Sequence, residues 1–398
     1  MDFDFGPDDT AFREEARGWL AAHLVGEYAA AAGTGGPGSE HQGFAVRRAW
    51  ERELGRAGWI GLGWDDRATG HGNRHATLTQ QVVWAEEYAR AAAPARVGHI
   101  GENLLAPTLI AHGSPEQRRR FLPAVARGEQ LWCQGYSEPE AGSDLAAVRT
   151  VAVPDGAAGG HRVTGQKVWT SLAREADWCF VLARTEPGSR RHHGLSFLLV
   201  PMDQPGRIEV RPIRQMSGTS EFNEVFFDGA RAEECVGGEG NGWRVAMGLL
   251  ALERGVSTLV QQIGFAAELD RVVRAAVTTG AVTDPVLRER LVRQWAELRT
   301  MRWNALCTLG AAAGAGAPSV AKLLWGGWHK RLGELAVAVR GAAGAVSPAD
   351  WSAKAPYELD EAQRLFLFSR SDTIYGGSDE IQRNIIAERV LGLPRETG

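Results

Sequence analysis

Four stretches of this chain carry residues that can do chemistry together. Glu253 lies in the run Trp243–Val277, where Val245, Leu249, Leu252, Val256, Leu259 and Ile263 advance by alternating threes and fours and mark one buried helical stripe. One helical turn away from Glu253 stand Leu249, Leu250, Val256 and Ser257, so a single carboxylate borders an apolar face. Such a glutamate is either an edge residue reaching water through its stem, or an acid shielded from water whose raised pKa makes it a usable base. The pattern alone leaves both readings open.

The second stretch, Gln134-Gly-Tyr-Ser-Glu-Pro-Glu-Ala-Gly-Ser143-Asp144, is rich in Gly, Pro and Ser. It predicts irregular backbone with N–H groups and hydroxyls to offer a polar ligand edge, or else an interdomain turn in which Ser143 or Asp144 caps Leu145–Thr150. The third, Lys167-Val-Trp-Thr-Ser171, is a strand that ends in an aromatic plane and two hydroxyls; a tryptophan there is either core or a ring contact. The fourth, Tyr375-Gly-Gly-Ser-Asp-Glu-Ile-Gln-Arg383, is a glycine turn into a helix, with Ser378 suited to the N-cap and Asp379 and Glu380 to the positive end of the dipole.

Other chemistries find no support. The cluster Gly237-Gly-Glu-Gly-Asn-Gly242 lacks the spacing and the βαβ setting of a dinucleotide fingerprint and reads as a loop. The ten histidines form no HExxH motif, so no metal site is expected. Neither a Walker lysine nor a GxSxG nucleophile is present.

These residues need elements to hold them. From Asp8 to about Gly128 the periodicity is helical, as in Thr77–Ala93 and Pro115–Ala126. From Leu131 to Arg231 it turns to strands: His161–Ser171, Asp177–Thr185, Gly194–Pro201, Ile208–Ile213 and Asn223–Asp228. From Gly242 long helical patterns return, interrupted near Val282–Pro285 and Gly310–Pro318. The order implies an α+β chain with domains at 1–128 (helical), 129–238 (β) and 239–398 (helical).

The 398 residues suffice for several cores, and 44% hydrophobic with 23% charged residues is the composition of a folded protein. A net charge of −4 gives no general attraction for nucleic acid or an anionic membrane. No apolar run approaches a membrane span, the start MDFDFGPDD is unlike a signal peptide, and four scattered cysteines (133, 179, 235, 307) form no zinc or redox pair. A reducing cytoplasm is the expected location.

Together the four stretches resemble the acyl-CoA dehydrogenase family of flavoenzymes. Ser137-Glu-Pro-Glu-Ala-Gly-Ser-Asp144 is similar to its TEPGAGSD-type signature, Lys167-Val-Trp-Thr-Ser171 to its K-x-W-[IT]-[TS] flavin strand, and Gly376-Gly-Ser-Asp-Glu-Ile-Gln-Arg383 to its [EG]-G-[TS]-x-x-I-Q-R segment. The resemblance runs nearly the whole length, through Phe121-Leu-Pro and Phe222-Asn-Glu-Val-Phe-Phe-Asp228. It implies an N-terminal helical domain, a central β domain, a C-terminal four-helix bundle and assembly as homo- or hetero-dimers or tetramers. By the same resemblance FAD is the cofactor. Gln134, Tyr136 and Ser137 lie at the flavin edge, Ser143 reaches cofactor or substrate phosphate, Trp169, Thr170 and Ser171 line the ring, Gly377 and Ser378 approach from the C-terminal domain, and Arg254 shapes the acyl pocket.

Two departures sharpen the expectation. Many members carry the catalytic glutamate where this chain has Gly376, which cannot abstract a proton; a smaller branch places it on the long helix just before an arginine, as in Glu253-Arg254. The resemblance therefore implies Glu253 as base, with Gly376 retaining an N–H for the thioester carbonyl. In place of the family's R-x-x-F-G element, which helps hold flavin across a subunit interface, stands Thr278-Thr-Gly-Ala-Val-Thr-Asp-Pro285. The expected activity is α,β-dehydrogenation of an acyl-CoA or carrier-bound thioester, branched or bulky at the acyl group, with hydride passing to flavin N5 and electrons on to an electron-transfer flavoprotein. The alternatives are a flavin oxidase or monooxygenase on this scaffold, or one subunit of a hetero-oligomer sharing a flavin site with a paralogue.

Overall fold

The computed structural model describes residues 5–36, 38–64, 70–156, 159–252, 257–310, 316–346 and 359–394. Helices fill the first part of the chain. Pro115–Ala126 begins where the sequence puts its start signals: Ser114 accepts from Gln117 N, Gln117 answers at the Ser114 N–H, and Pro115 takes the first helical position. Thr77 and Gln80 form the same reciprocal cap at Leu78–Arg90. These helices close on an aromatic core of Trp50, Trp59 and Trp84, the last two stacked at 4.1 Å.

The middle of the chain is an eight-stranded sheet: β1 (Trp132–Gly135), β2 (Val151–Pro154), β3 (His161–Ser171), β4 (Trp178–Arg184), β5 (Leu195–Pro201), β6 (Ile208–Ile213), β7 (Phe222–Ala232) and β8 (Glu234–Val236). Its order is β6-β7-β3-β2-β4-β5-β8, with β1 parallel to β4. β4 and β5 are apolar on both sides because both of their faces are covered. Phe180, Leu182, Leu195, Phe197 and Leu199 face Phe121, Leu109 and Leu249 of the helices, while Cys179, Val181, Leu198 and Val200 pack beneath β3 and β7. The sequence's candidate cap at Leu145 is a short 3₁₀ turn, Leu145–Ala147, in which Asp144 sits at the cap position without making a side-chain cap bond.

Helix returns at Gly242–Leu252 and Ser257–Thr279, on either side of residues 253–256. Glu253 and Arg254, the expected base and its neighbour, lie outside the described residues. Ser257–Thr279, Pro285–Gly310, Ala317–Ala338 and Glu361–Phe368 surround Phe265, Leu269, Leu298, Trp328 and Leu332. Among the described residues no helix is long and apolar enough to cross a membrane.

Candidate active site

The site begins at a buried charge. Lys167, on β3, is fully enclosed, and its ammonium donates to Glu138 Oε1 at 2.7 Å, the Leu182 carbonyl at 2.8 Å and the Tyr136 carbonyl at 3.0 Å. Three donors thus meet three acceptors, which a buried lysine requires. Glu138 also accepts from the backbone N–H groups of Arg149 (2.6 Å) and Thr150 (2.9 Å). Burial would raise the Glu138 carboxyl, but Lys167 and these N–H donors outweigh it and hold the group below its ordinary value. The Val168 N–H donates to the Ser137 carbonyl at 2.9 Å. The loop carrying Gln134, Tyr136, Ser137 and Ser143 is therefore fastened to the strand carrying Trp169, Thr170 and Ser171.

Next to this anchor β3 leaves regular geometry. Its register against β7 shifts between Lys167 and Thr170, and Trp169 takes φ +60°, a left-handed conformation costly for a bulky residue. The result is an indole 58% exposed, with the Phe222 ring edge-on at 6.0 Å. The reading of Trp169 as core does not apply. Thr170 turns inward and is fully buried, its carbonyl held by Asn223 Nδ2 at 3.0 Å. Tyr136 is buried against Phe180 and Phe197, whereas Gln134, Ser137 and Ser171 are half-buried and Ser143 is exposed.

Gly376, Gly377 and Ser378 are held from within the C-terminal bundle. Both glycines have positive φ, +65° and +86°, the conformation this reversal needs and L side chains resist. Gln382, fully buried, donates to both their carbonyls at 3.2 Å, and Ser378 caps Asp379–Ile385 through the Ile381 N–H. Behind the turn, Lys322 Nζ lies 3.9 Å from the point where a Cβ at 376 would sit.

Lys167, Glu138 and Gln382 stand within the motif stretches with no task evident from type or spacing, and Asp372, His329 and Lys322 stand outside them. Lysine usage is the one signal that marks any of them. Among 44 basic residues only four are lysines, and two of them, Lys167 and Lys322, are buried.

A helical domain, a central sheet and a helical bundle in chain order, with a polar loop fastened beside an exposed indole, are the layout that the resemblance to flavin-dependent acyl-CoA dehydrogenases implies. The family models bear this out in chain order: acyl-CoA dehydrogenase N-terminal domain over residues 6–129, middle domain over 133–230 and C-terminal domain over 240–391. The chain is 57% identical over 393 residues to acyl-CoA dehydrogenase IpdE1 of Mycobacterium tuberculosis, covering 98% of this chain and 99% of that one. It is 40% identical to acyl-CoA dehydrogenase FadE34 of the same organism, over 78% of this chain and 44% of the relative. Among solved structures, the Tcur3481–Tcur3483 steroid ACAD superposes with a TM-score of 0.83 at 27% identity over 100% of both chains. The ChsE4–ChsE5 complex from Mycobacterium tuberculosis does so at 0.79 and 28%, over 99% of this chain and 100% of that one. The chain belongs to the acyl-CoA dehydrogenase family.

FAD is the cofactor of this family, and the residues present fit it. A flavin ring needs a flat apolar wall with hydroxyl and amide groups at its polar edge; the exposed Trp169 indole would give the wall, and Ser171 and the Gln134–Ser143 loop would give the edge. The strained backbone that exposes Trp169 is the kind of feature retained where a ligand uses it.

Proposed function

We propose that this enzyme removes hydrogen from the α and β carbons of a bulky, steroid-type acyl-CoA thioester, with Glu253 as the base. The observation that carries the assignment is Gly376: at φ +65° the position is shaped for glycine and has no group able to take a proton. An acid is required elsewhere, and Glu253, next to Arg254 in the sequence, supplies it. A thioester α-proton is far too weakly acidic for a free carboxylate at neutral pH. A carboxylate kept from water is a stronger base, which is what the role asks of Glu253, and the Gly376 N–H stabilises charge developing on the thioester oxygen; one such donor is worth roughly 10²–10³ in rate. Gln382 engages the carbonyls of Gly376 and Gly377, which leaves the donor side of the turn for substrate. FAD held beside Trp169, Ser171 and the Gln134–Ser143 loop would supply the hydride acceptor for the β carbon, and an electron-transfer flavoprotein would take the electrons onward in the cytoplasm.

The bulky substrate is supported by the lack of side chains at Gly376 and Gly377, on the turn assigned to the thioester, and by the likeness to the steroid ACAD at a TM-score of 0.83. A panel of thioesters tests it by anaerobic bleaching of the bound flavin. Steroid-ring thioesters should bleach it fastest; preference for short straight chains would contradict the assignment.

A second reading concerns assembly: the chain shares its flavin site with a paralogous partner. The segment Thr278–Pro285, which lacks the R-x-x-F-G element, and the two-chain ChsE4–ChsE5 complex favour it. Protein that purifies colourless alone and yellow after co-expression with the partner would bear it out; full flavin content in the lone chain would refute it.

A further inference from the structure

One buried charged network in the C-terminal bundle has no part in the chemistry so far. His329 lies between two carboxylates, with Nδ1 2.5 Å from Asp372 Oδ2 and Nε2 2.7 Å from Glu268 Oε2, its ring stacked on Phe265. Asp372 is 1% exposed; its Oδ1 accepts from the Tyr375 hydroxyl at 2.6 Å and its carbonyl accepts from Lys322. Lys322 in turn lies over the Tyr375 ring at 4.7 Å. The two ends of this chain of contacts are telling. Glu268 belongs to Ser257–Thr279, the helix that follows Glu253 in sequence, and Tyr375 immediately precedes Gly376.

We propose that Glu268–His329–Asp372–Tyr375 is the positioning device that keeps the helix following the base in register with the turn that offers the Gly376 N–H. The inference rests on the dehydrogenase reading above. A neutral imidazole has one N–H and can donate to only one carboxylate, whereas the imidazolium donates to both, so the bridge between helix and turn needs the proton. Burial opposes that charge, but hydrogen bonds and attraction from Asp372 and Glu268 outweigh it and raise His329 to about 9. These two carboxylates face the ring from the other elements, while Lys322 and Tyr375 reach Asp372 from its far side. His329, Asp372 and Glu268 are positioning residues, acting on the reaction through the turn.

The test uses flavin-loaded full-length protein and three readouts: the rate of flavin bleaching by thioester against pH, the thioester dissociation constant, and the pH dependence of Tm. In the wild type the bleaching rate should fall along an alkaline limb near pH 9. His329→Gln, similar in reach but unable to carry charge, should slow bleaching by up to about 100-fold at pH 7, the effect of an ångström of misplacement. It should change the dissociation constant far less, and lose the alkaline limb in both rate and Tm. Tyr375→Phe removes only the hydroxyl that donates to Asp372 and leaves both carboxylate contacts of His329 in place; in protein shown by its Tm to be folded, it should slow bleaching in the same direction. Wild-type rates and an unchanged alkaline limb in folded His329→Gln, or an unchanged rate in Tyr375→Phe, would overturn the inference. Failure of the underlying reading looks different: wild-type flavin left unbleached by every thioester, with which this inference falls as well.

Discussion

Glu138 and Lys167 are 29 residues apart in sequence and 2.7 Å apart in space, and their contact fastens the signature loop to the strand that bears Trp169. Because both are buried, removing one partner leaves the other's charge stranded. Lys167→Met should destabilise the protein by about 3–5 kcal/mol in urea unfolding and release flavin; adding Glu138→Gln should recover part of the stability. Since the Glu138 carboxyl is held below its ordinary 4.5, its contribution is present above that pH and lost as the pH falls through its folded-state value. Flavin retention should collapse with it on acidification, and retention unaffected by Lys167→Met would show the anchor to be dispensable.

Trp169 points to a trade between stability and function. An L residue at φ +60° costs about 1–2 kcal/mol relative to glycine. Trp169→Gly should therefore leave the apoprotein as stable as the wild type or more so, while weakening FAD binding. Calorimetry of the apoprotein and a flavin titration separate the two effects; a large loss of apoprotein stability would mean the indole packs as core.

Gly376 can be tested against its neighbour. A side chain there begins 3.8 Å from Lys322 Cε, so there is room, but the positive φ makes Gly376→Ala cost about 1 kcal/mol or slightly more. Placing a glutamate there in a Glu253→Gln background should not restore activity, because Lys322 would pair with the new carboxylate and lower its basicity. Recovery of more than a few per cent of the wild-type bleaching rate would contradict that picture.

The His329 bridge also predicts how stability varies with pH. A group raised from 6.5 to about 9 on folding stabilises fully below pH 6.5 and loses that contribution as the pH rises through about 9. Tm should fall across this window in the wild type and stay flatter in His329→Gln. The same slope in both would assign the alkaline loss to another group.

Much of the fold was legible because its signals are local. His161–Ser171 and Ile208–Ile213 form strands with the bounds their patterns give, and Pro115–Ala126 follows from its Ser, Pro and Gln start. The strand read as Asn223–Asp228 runs on to Ala232 because Gly229, a turn signal in isolation, is carried through by pairing of Ala230 with Val163 and Ala232 with His161. The single run Trp243–Val277 appears as helix on both sides of residues 253–256. The candidate motifs stand out by type and spacing, and the structure sets two of them, Gln134–Asp144 and Lys167–Ser171, side by side. What stayed hidden was the support behind them. Buried pairs such as His329–Asp372, 43 residues apart, depend on which elements meet, and periodicity carries no information about that.

The most direct measurement is anaerobic mixing of substrate thioester with the yellow Glu253→Gln enzyme. Flavin content and thioester binding should match the wild type, while bleaching slows by roughly 10²–10⁴-fold, the range lost with a general base. Bleaching at the wild-type rate would show that another group takes the proton.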